Sequence, residues 1–293
     1  MDTRVHFKSW WLPYALLLPQ VAVTLVFFIW PSVQALHQSV LAQDVFGITT
    51  RFVWFDNFID LWYSREYLRS FSRTLLFSFS VTFIAMSLGL LFAVLVDRIL
   101  KGSSGYKLLL TWPYAVAPAV AGVLWLFMFN TSTGVLALTL RSMGIDWDHV
   151  IRGDQAMLLV ILASAWRQIA YNFLFFLAGL QAIPRSLKEA AAIDGAGPVK
   201  RFWTIIFPLL APTTFFLLVI NIVYAFFETF GVIHAVTRGG PGQATEILVY
   251  KVYRDGFVGM DFGASAAQSV ILMILVIGLT AIQFKYLERR VHY

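Results

Sequence analysis

Six stretches of this chain are long and apolar enough to cross a bilayer, and this limits its fold more than any other feature. A membrane-crossing helix needs about 20 mostly apolar residues, and such runs lie at 12–36, 74–96, 108–129, 157–183, 209–230 and 264–287. Arg4 and Lys8 precede the first run, as basic residues precede a secretory signal. That run is longer than the about 7–15 residues of a signal core, and Val33-Gln34-Ala35 is a poor cleavage site. It reads as a retained span. The expected fold class is an all-α membrane protein with six transmembrane helices in one domain, 1–293.

Composition agrees. Charged residues make up 13% of the chain, about half the share usual in a soluble domain, and mean hydropathy is +0.74. There is no cysteine, which excludes disulfides, thiolate metal sites and a cysteine nucleophile. The net charge of +6 forms no basic stripe interleaved with aromatics, so nucleic acid is not an expected partner. The charge instead sorts by loop. With both termini on one side, that side holds 12 basic and 5 acidic residues in short segments, including Arg4, Lys8, Arg98, Lys101, Lys107, Arg289 and Arg290. The other side holds 9 basic and 10 acidic residues in the longer loops 37–73, 130–156 and 231–263, and Glu228 at the end of the fifth span makes 11 acidic residues there. Lys and Arg concentrate in cytoplasmic loops, so both termini and segment 184–208 are expected in the cytoplasm.

That segment carries its own helix signals. Pro184 ends the fourth span. Ser186 and Glu189 have capping-box spacing, Ala190, Ala191 and Ala192 favour helix, and Gly195 suits a left-handed stop. Pro198 then suits the first turn of a second short helix, carrying Phe202 before Pro208. Leu187, Ala191 and Asp194 share one side by i, i+4, i+7 spacing. The small residues favour docking of another protein over lying among lipid headgroups, where large apolar anchors are expected.

Glu189-Ala190-Ala191, Gly195, Ile205 and Pro208 follow the spacing E-A-A-x3-G-x9-I-x-L-P, with Phe207 in place of Leu. This resembles the signature of ABC importer permeases. "LPYALLLPQ", "PYAVAPAVAGVLW", "VYAFFETFGVI" and "YKVYRDGF" extend the likeness over nearly the whole chain, to permeases of the carbohydrate type. Within that type it is greatest to A-type subunits of sn-glycerol-3-phosphate importers. The resemblance implies a type I ABC importer permease fold. It places Glu189, Ala190, Ala191, Asp194 and Gly195 at the contact with an ATPase. It implies a second, different permease subunit, an ATPase homodimer that binds ATP and Mg, an external solute-binding protein, and a bacterial inner membrane. The substrate implied is sn-glycerol-3-phosphate or a related glycerophosphodiester, with a disaccharide or other polyol as the alternative.

No enzyme chemistry is legible. "GSSGYK" at 102–107 lacks the G-x4-G-K-[ST] spacing of a phosphate loop. An intramembrane serine protease has no suitable base, because His6, His37, His149, His234 and His292 all fall in tails or outer loops. Their dispersal also argues against a metal site. A stand-alone six-span channel or sensor leaves segment 184–208 without a purpose.

Polar residues inside spans mark either helix pairing or a watery path. Arg167, Gln168 and Asn172 lie in the fourth span. Asn221, Tyr224 and Glu228 share a face of the fifth, and Ser265, Gln268 and Ser269 form a stripe on the sixth. Three polar faces fit a translocation path. Arg167 suits a phosphate contact or, equally, a helix carbonyl end or a carboxylate. Asn221 and Gln268 suit helix pairing equally well.

Overall fold

The computed structural model describes residues 11–43, 49–98 and 103–287. The charges Arg4, Lys8, Lys101, Arg289 and Arg290, and His6 and His292, lie outside the described residues. Five helices are long and apolar enough to cross a membrane: Leu12–Gln38, Arg65–Asp97, Gly153–Ala182, Ala211–Glu228 and Phe262–Lys285. A bent pair, Ser104–Ala115 and Pro118–Met128, makes a sixth if counted as one span.

The bend is the main departure from the sequence expectation, which had an uninterrupted helix over 108–129. The two pieces meet at 105°. Two prolines explain the break. Pro113 lies inside the first piece, and Pro118 opens the second. Ala117 therefore stands before a proline, where helical backbone is disfavoured, and takes φ −59°, ψ 145°.

The described residues fall into two compact units. One takes those of 1–63 and 252–271. Its helix Leu12–Gln38 buries none of its own residues. A three-rung antiparallel strand pair follows, β1 (Leu41–Gln43) with β2 (Thr50–Phe52), and it is the only strand pairing among the described residues. Asn57, on helix Asp56–Tyr63, clips the loop by donating to the carbonyls of Ser39 and Leu41 at 2.8 and 3.0 Å.

The other unit takes the described residues of 64–251 and 272–293. Helix Gly153–Ala182 is its centre, with 61% of its most apolar window buried against 28% for Arg65–Asp97. Helix Arg65–Asp97 begins earlier than the sequence suggested, because Ser64 accepts a hydrogen bond from the amide of Tyr67 and caps it. The expected outer loops contain further helices, Val135–Ser142, Phe230–Val236 and Leu248–Tyr253. Ala93, Val96, Phe173, Phe176, Leu177, Leu180, Leu210 and Leu217 form an apolar cluster at one end of this unit.

Small residues set the crossing distance, as they do where lipid offers no hydrophobic drive for helix association. A Cβ on Gly89 would lie 2.6 Å from Cβ of Asn172 and 3.1 Å from the amide nitrogen of Phe173. Gly179 meets Leu210 and Thr213 in the same way, at 2.9 and 3.0 Å. Overpacking such a contact costs about 1–3 kcal/mol. Gly89→Val is therefore expected to lower the thermal midpoint of the detergent-purified protein, whereas Gly105→Val, whose added Cβ meets nothing within 4 Å, leaves it unchanged.

Candidate functional site

The first site is the connection between helices Gly153–Ala182 and Ala211–Glu228. Its opening helix spans Arg185–Ile193. The expected capping box does not form. Pro184 is the N-cap, at φ −54°, ψ 132°, with no side-chain cap bond, and its carbonyl accepts from the amide of Leu187 at 3.2 Å. A proline already fixed in extended backbone starts the helix one residue before Ser186 can act.

The stop follows the sequence. Gly195 has φ +77°, a conformation glycine adopts without a Cβ penalty. Ala196 donates to the carbonyl of Ala191 at 3.0 Å and Gly195 to that of Ala192 at 3.1 Å, which closes the helix in a Schellman motif. Pro198 then starts a second helix at Gly197. Pro208 does not end it. A π turn at Phe202–Ile206 widens the ladder just before the proline, and helix resumes over Phe207–Leu209. Proline supplies no amide to the ladder, and the wider turn carries the helical run past it.

This segment is tied to its neighbours and bare at its tip. Lys188 donates to the carbonyl of Leu180 at 3.1 Å and lies 3.5 Å from Asp97. Arg201 donates to the carbonyl of Lys188 at 3.1 Å. Glu189, Ala190, Asp194 and Gly195 are exposed, but Ala191 is buried at 6%. The shared side expected for Leu187, Ala191 and Asp194 is thus divided, with Ala191 facing inward. Ile193 and Val199 are 87% and 72% exposed. The sequence reading passed over both, although two large apolar residues flanking a glycine turn were a visible signal.

The second site surrounds the bend. Arg167 is 9% exposed and donates through Nε to the carbonyl of Val116 at 2.7 Å. A break in a helix orphans its last carbonyls, and a cation there is favoured by both charge and hydrogen bonding. Of the roles open to Arg167 in the sequence, the geometry shows the helix carbonyl end. The Tyr224 hydroxyl lies beside the guanidinium and donates to the carbonyl of Ser164 at 3.3 Å. Glu228 is exposed and within electrostatic reach of Tyr224 and Tyr171. Tyr171 packs at a tilt against Tyr114, with ring centroids 5.3 Å apart, and Trp166 meets Trp112 edge-on at 5.5 Å. These four aromatic residues were not singled out in the sequence. The two prolines five apart in "PYAVAP" were the signal that a break, and so a lining, would occur there.

Asn172 and Asn221 form a closed pair. Asn172 donates to Oδ1 of Asn221 at 3.0 Å, and Asn221 donates to Oδ1 of Asn172 at 2.8 Å. Each amide also donates to the carbonyl four residues before it, of Gln168 and of Leu217, at 2.7 Å. Both residues are fully buried, and all their amide donors are used, one of each across to the other helix and one within its own. Gln168 is buried nearby at 3%. In the first unit, Gln268 is 1% exposed and donates to Oδ2 of Asp255 at 2.7 Å. Ser265 donates to the carbonyl of Val252, and Ser269 to that of Ser265.

The fold has close counterparts. The sequence profile of the family described as binding-protein-dependent transport system inner membrane component matches residues 18–293. The chain belongs to this family. The sn-glycerol-3-phosphate transport system permease protein UgpA of Rhizobium meliloti (strain 1021) is 60% identical over 290 residues, 99% of each chain. Its counterpart in Yersinia enterocolitica is 57% identical over 292 residues, covering 100% of this chain and 99% of that one. A solved bacterial ABC transporter involved in the import of the acidic polysaccharide alginate superposes with a TM-score of 0.83, over 95% of this chain and 96% of that one, at 21% identity. The chain therefore has the type I ABC importer permease fold and is a membrane permease subunit, not an enzyme. ATP hydrolysis belongs to a separate subunit.

A buried amide left without its partner costs about 1–3 kcal/mol, whereas replacing both partners is nearly neutral. Asn172→Leu alone is expected to lower the thermal midpoint of the purified protein. The double variant Asn172→Leu with Asn221→Leu is expected to recover most of that loss.

Proposed function

We propose that this permease carries sn-glycerol-3-phosphate or related glycerophosphodiesters into the cytoplasm, driven by a partner ATPase. The observation that carries this reading is 60% identity over 99% of both chains to a permease of an sn-glycerol-3-phosphate transport system. The likeness to the alginate importer, at 21% identity, bears on fold and not on substrate.

The charge bias of the loops supports cytoplasmic termini, and so places helix Arg185–Ile193 inside the cell. There Glu189, Ala190, Asp194 and Gly195, with Ile193 and Val199, offer an ATPase groove a small-residue knob rimmed by apolar side chains. Ala191 serves the same contact from behind, by packing the helix onto the chain. Lys188 links this knob to the ends of helices Arg65–Asp97 and Gly153–Ala182, and Arg201 ties it to the helix that begins at Pro198, so a push at the tip reaches the spans directly. Two ATPase copies bind ATP and Mg and drive alternating access. A second permease completes the path, and an external binding protein delivers the solute. The unburied, apolar helix Leu12–Gln38 fits a chain that meets lipid and another permease.

Within the path, the exposed Glu228 and the aromatic residues Tyr114 and Tyr171 are placed to meet solute. Arg167 and Tyr224 hold the bend that presents them. Gln168, Asn172 and Asn221 keep their wall in register, and Gln268 ties its helix to Asp255 within its own unit.

Uptake of labelled sn-glycerol-3-phosphate in cells with and without this chain, with maltose as control, tests the substrate. Selective loss of phosphate-ester uptake, restored by the intact chain, is expected. Unchanged uptake, with no second route present, moves the substrate to a disaccharide or other polyol. Gly195→Asp adds a Cβ at φ +77° and a charge to the knob. It is expected to abolish uptake while membrane insertion stays normal, and normal uptake would remove the docking role.

A further inference from the structure

We propose that the cytoplasmic end of helix Arg65–Asp97, together with the helix that begins at Pro198, forms a binding site for one anionic phospholipid of the inner leaflet. The proposal rests on the orientation argued above and goes beyond the transport function.

Two adjoining cavities make the site. One, of ≈ 440 Å³, is a groove lined by Ser87, Leu90, Leu91, Val94, Phe202 and Trp203, with Arg98 at its end. The other, of ≈ 340 Å³, shares Val94, Arg98, Pro198 and Phe202 with it and adds Asp97, Lys188 and Arg201. The first is apolar along its length, and the second carries three cations and one anion.

The charges do not cancel. Lys188 lies 3.5 Å from Asp97, so the one carboxylate is already engaged. Arg201 uses Nη1 on the carbonyl of Lys188, which fixes its guanidinium in the cavity wall. Arg98 is exposed and has no ion pair among the described residues. Two guanidinium groups thus remain for an anion, and guanidinium matches phosphate oxygens in pairs.

The dimensions select a lipid over a free anion. The stretch Ser87–Arg98 rises about 16 Å at about 1.5 Å per residue, close to half of the about 30 Å hydrocarbon core of a bilayer. A groove one leaflet deep that ends at two arginines fits an acyl chain below a phosphate headgroup. Trp203 is 59% exposed beside it, as expected of an indole at headgroup depth. A zwitterionic headgroup brings a cation along with its phosphate and leaves the net positive charge in place, so the ligand is anionic, with phosphatidylglycerol as the probe. Because Arg201 and Lys188 also hold helix Arg185–Ile193, lipid bound here would brace the ATPase-docking knob against the spans.

Native mass spectrometry of the assembled importer, released from nanodiscs containing phosphatidylglycerol and phosphatidylcholine, tests the site. Arg98→Gln, which removes the charge, is expected to cut retained phosphatidylglycerol about five-fold, near the effect of one basic residue at an anionic surface, and Leu91→Trp, which fills the groove, is expected to lower it as well. Arg185→Gln, an exposed basic residue outside both cavities, should change nothing. Unaltered retention in both test variants overturns the proposal. So does displacement of the lipid by millimolar inorganic phosphate in a protein that tolerates Leu91→Trp, which would mark a free-anion pocket. A crosslink from Leu91→Cys to the second permease, in place of lipid, overturns it as well. Because the chain has no cysteine, labelling Ser104→Cys with an impermeant maleimide separates the two readings. Labelling from outside the cell defeats the orientation and this proposal together. Labelling from the cytoplasmic side with unaltered lipid retention defeats this proposal alone.

Discussion

Inside hydrocarbon a backbone carbonyl has no water to turn to, and the bond from Arg167 to Val116 answers that constraint at the one place among the described residues where a span bends sharply. Two prolines open the third apolar segment, the break frees carbonyls, and a buried guanidinium on the central helix covers one of them. The cation is costly in a membrane. It is tolerated because it holds the bend, and the bend brings Tyr114 and Tyr171 against each other and near Glu228. Bend, arginine and aromatic lining are therefore one device. Removing the arginine would expose an orphan carbonyl as well as delete a charge.

The same accounting governs the rest of the unit centred on helix Gly153–Ala182. The glycines at 89 and 179 let backbones approach closely. The Asn172–Asn221 pair uses all of its amide donors, two between helices and two on carbonyls of its own helices, so it fixes register without leaving an amide donor to attract water. Such a wall is stiff. The short helix after Pro184 is held to it by the side chain of Lys188, and Arg201 ties that helix to the next one. Stiff spans with a lightly tethered knob suit a subunit that must pass on a movement generated in another protein.

Much of this was legible in the sequence, for identifiable reasons. Span existence followed from runs of apolar residues, which leave little freedom in lipid. Gly195 and Pro198 were legible because left-handed backbone and a first helical turn each favour particular residues. The N-terminus of helix Arg185–Ile193 was misjudged, since two local signals competed and Pro184 won over Ser186. The bend was missed because hydropathy does not register two prolines within an apolar run. The inward turn of Ala191 was missed because spacing defines a shared side without saying which side is buried. Asn172 and Asn221 were found as polar residues, but only the fold could show that they pair across 49 positions of sequence.

The most direct test of the central claim, that the knob after Pro184 receives the ATPase movement, is a site-specific photocrosslink from position 193, whose side chain is 87% exposed at its tip. With a photoreactive residue replacing Ile193 in the assembled importer, the expected result is one major adduct to the ATPase subunit, whose yield changes when ATP is added. Adducts to lipid or to the external binding protein, with none to the ATPase, would contradict it.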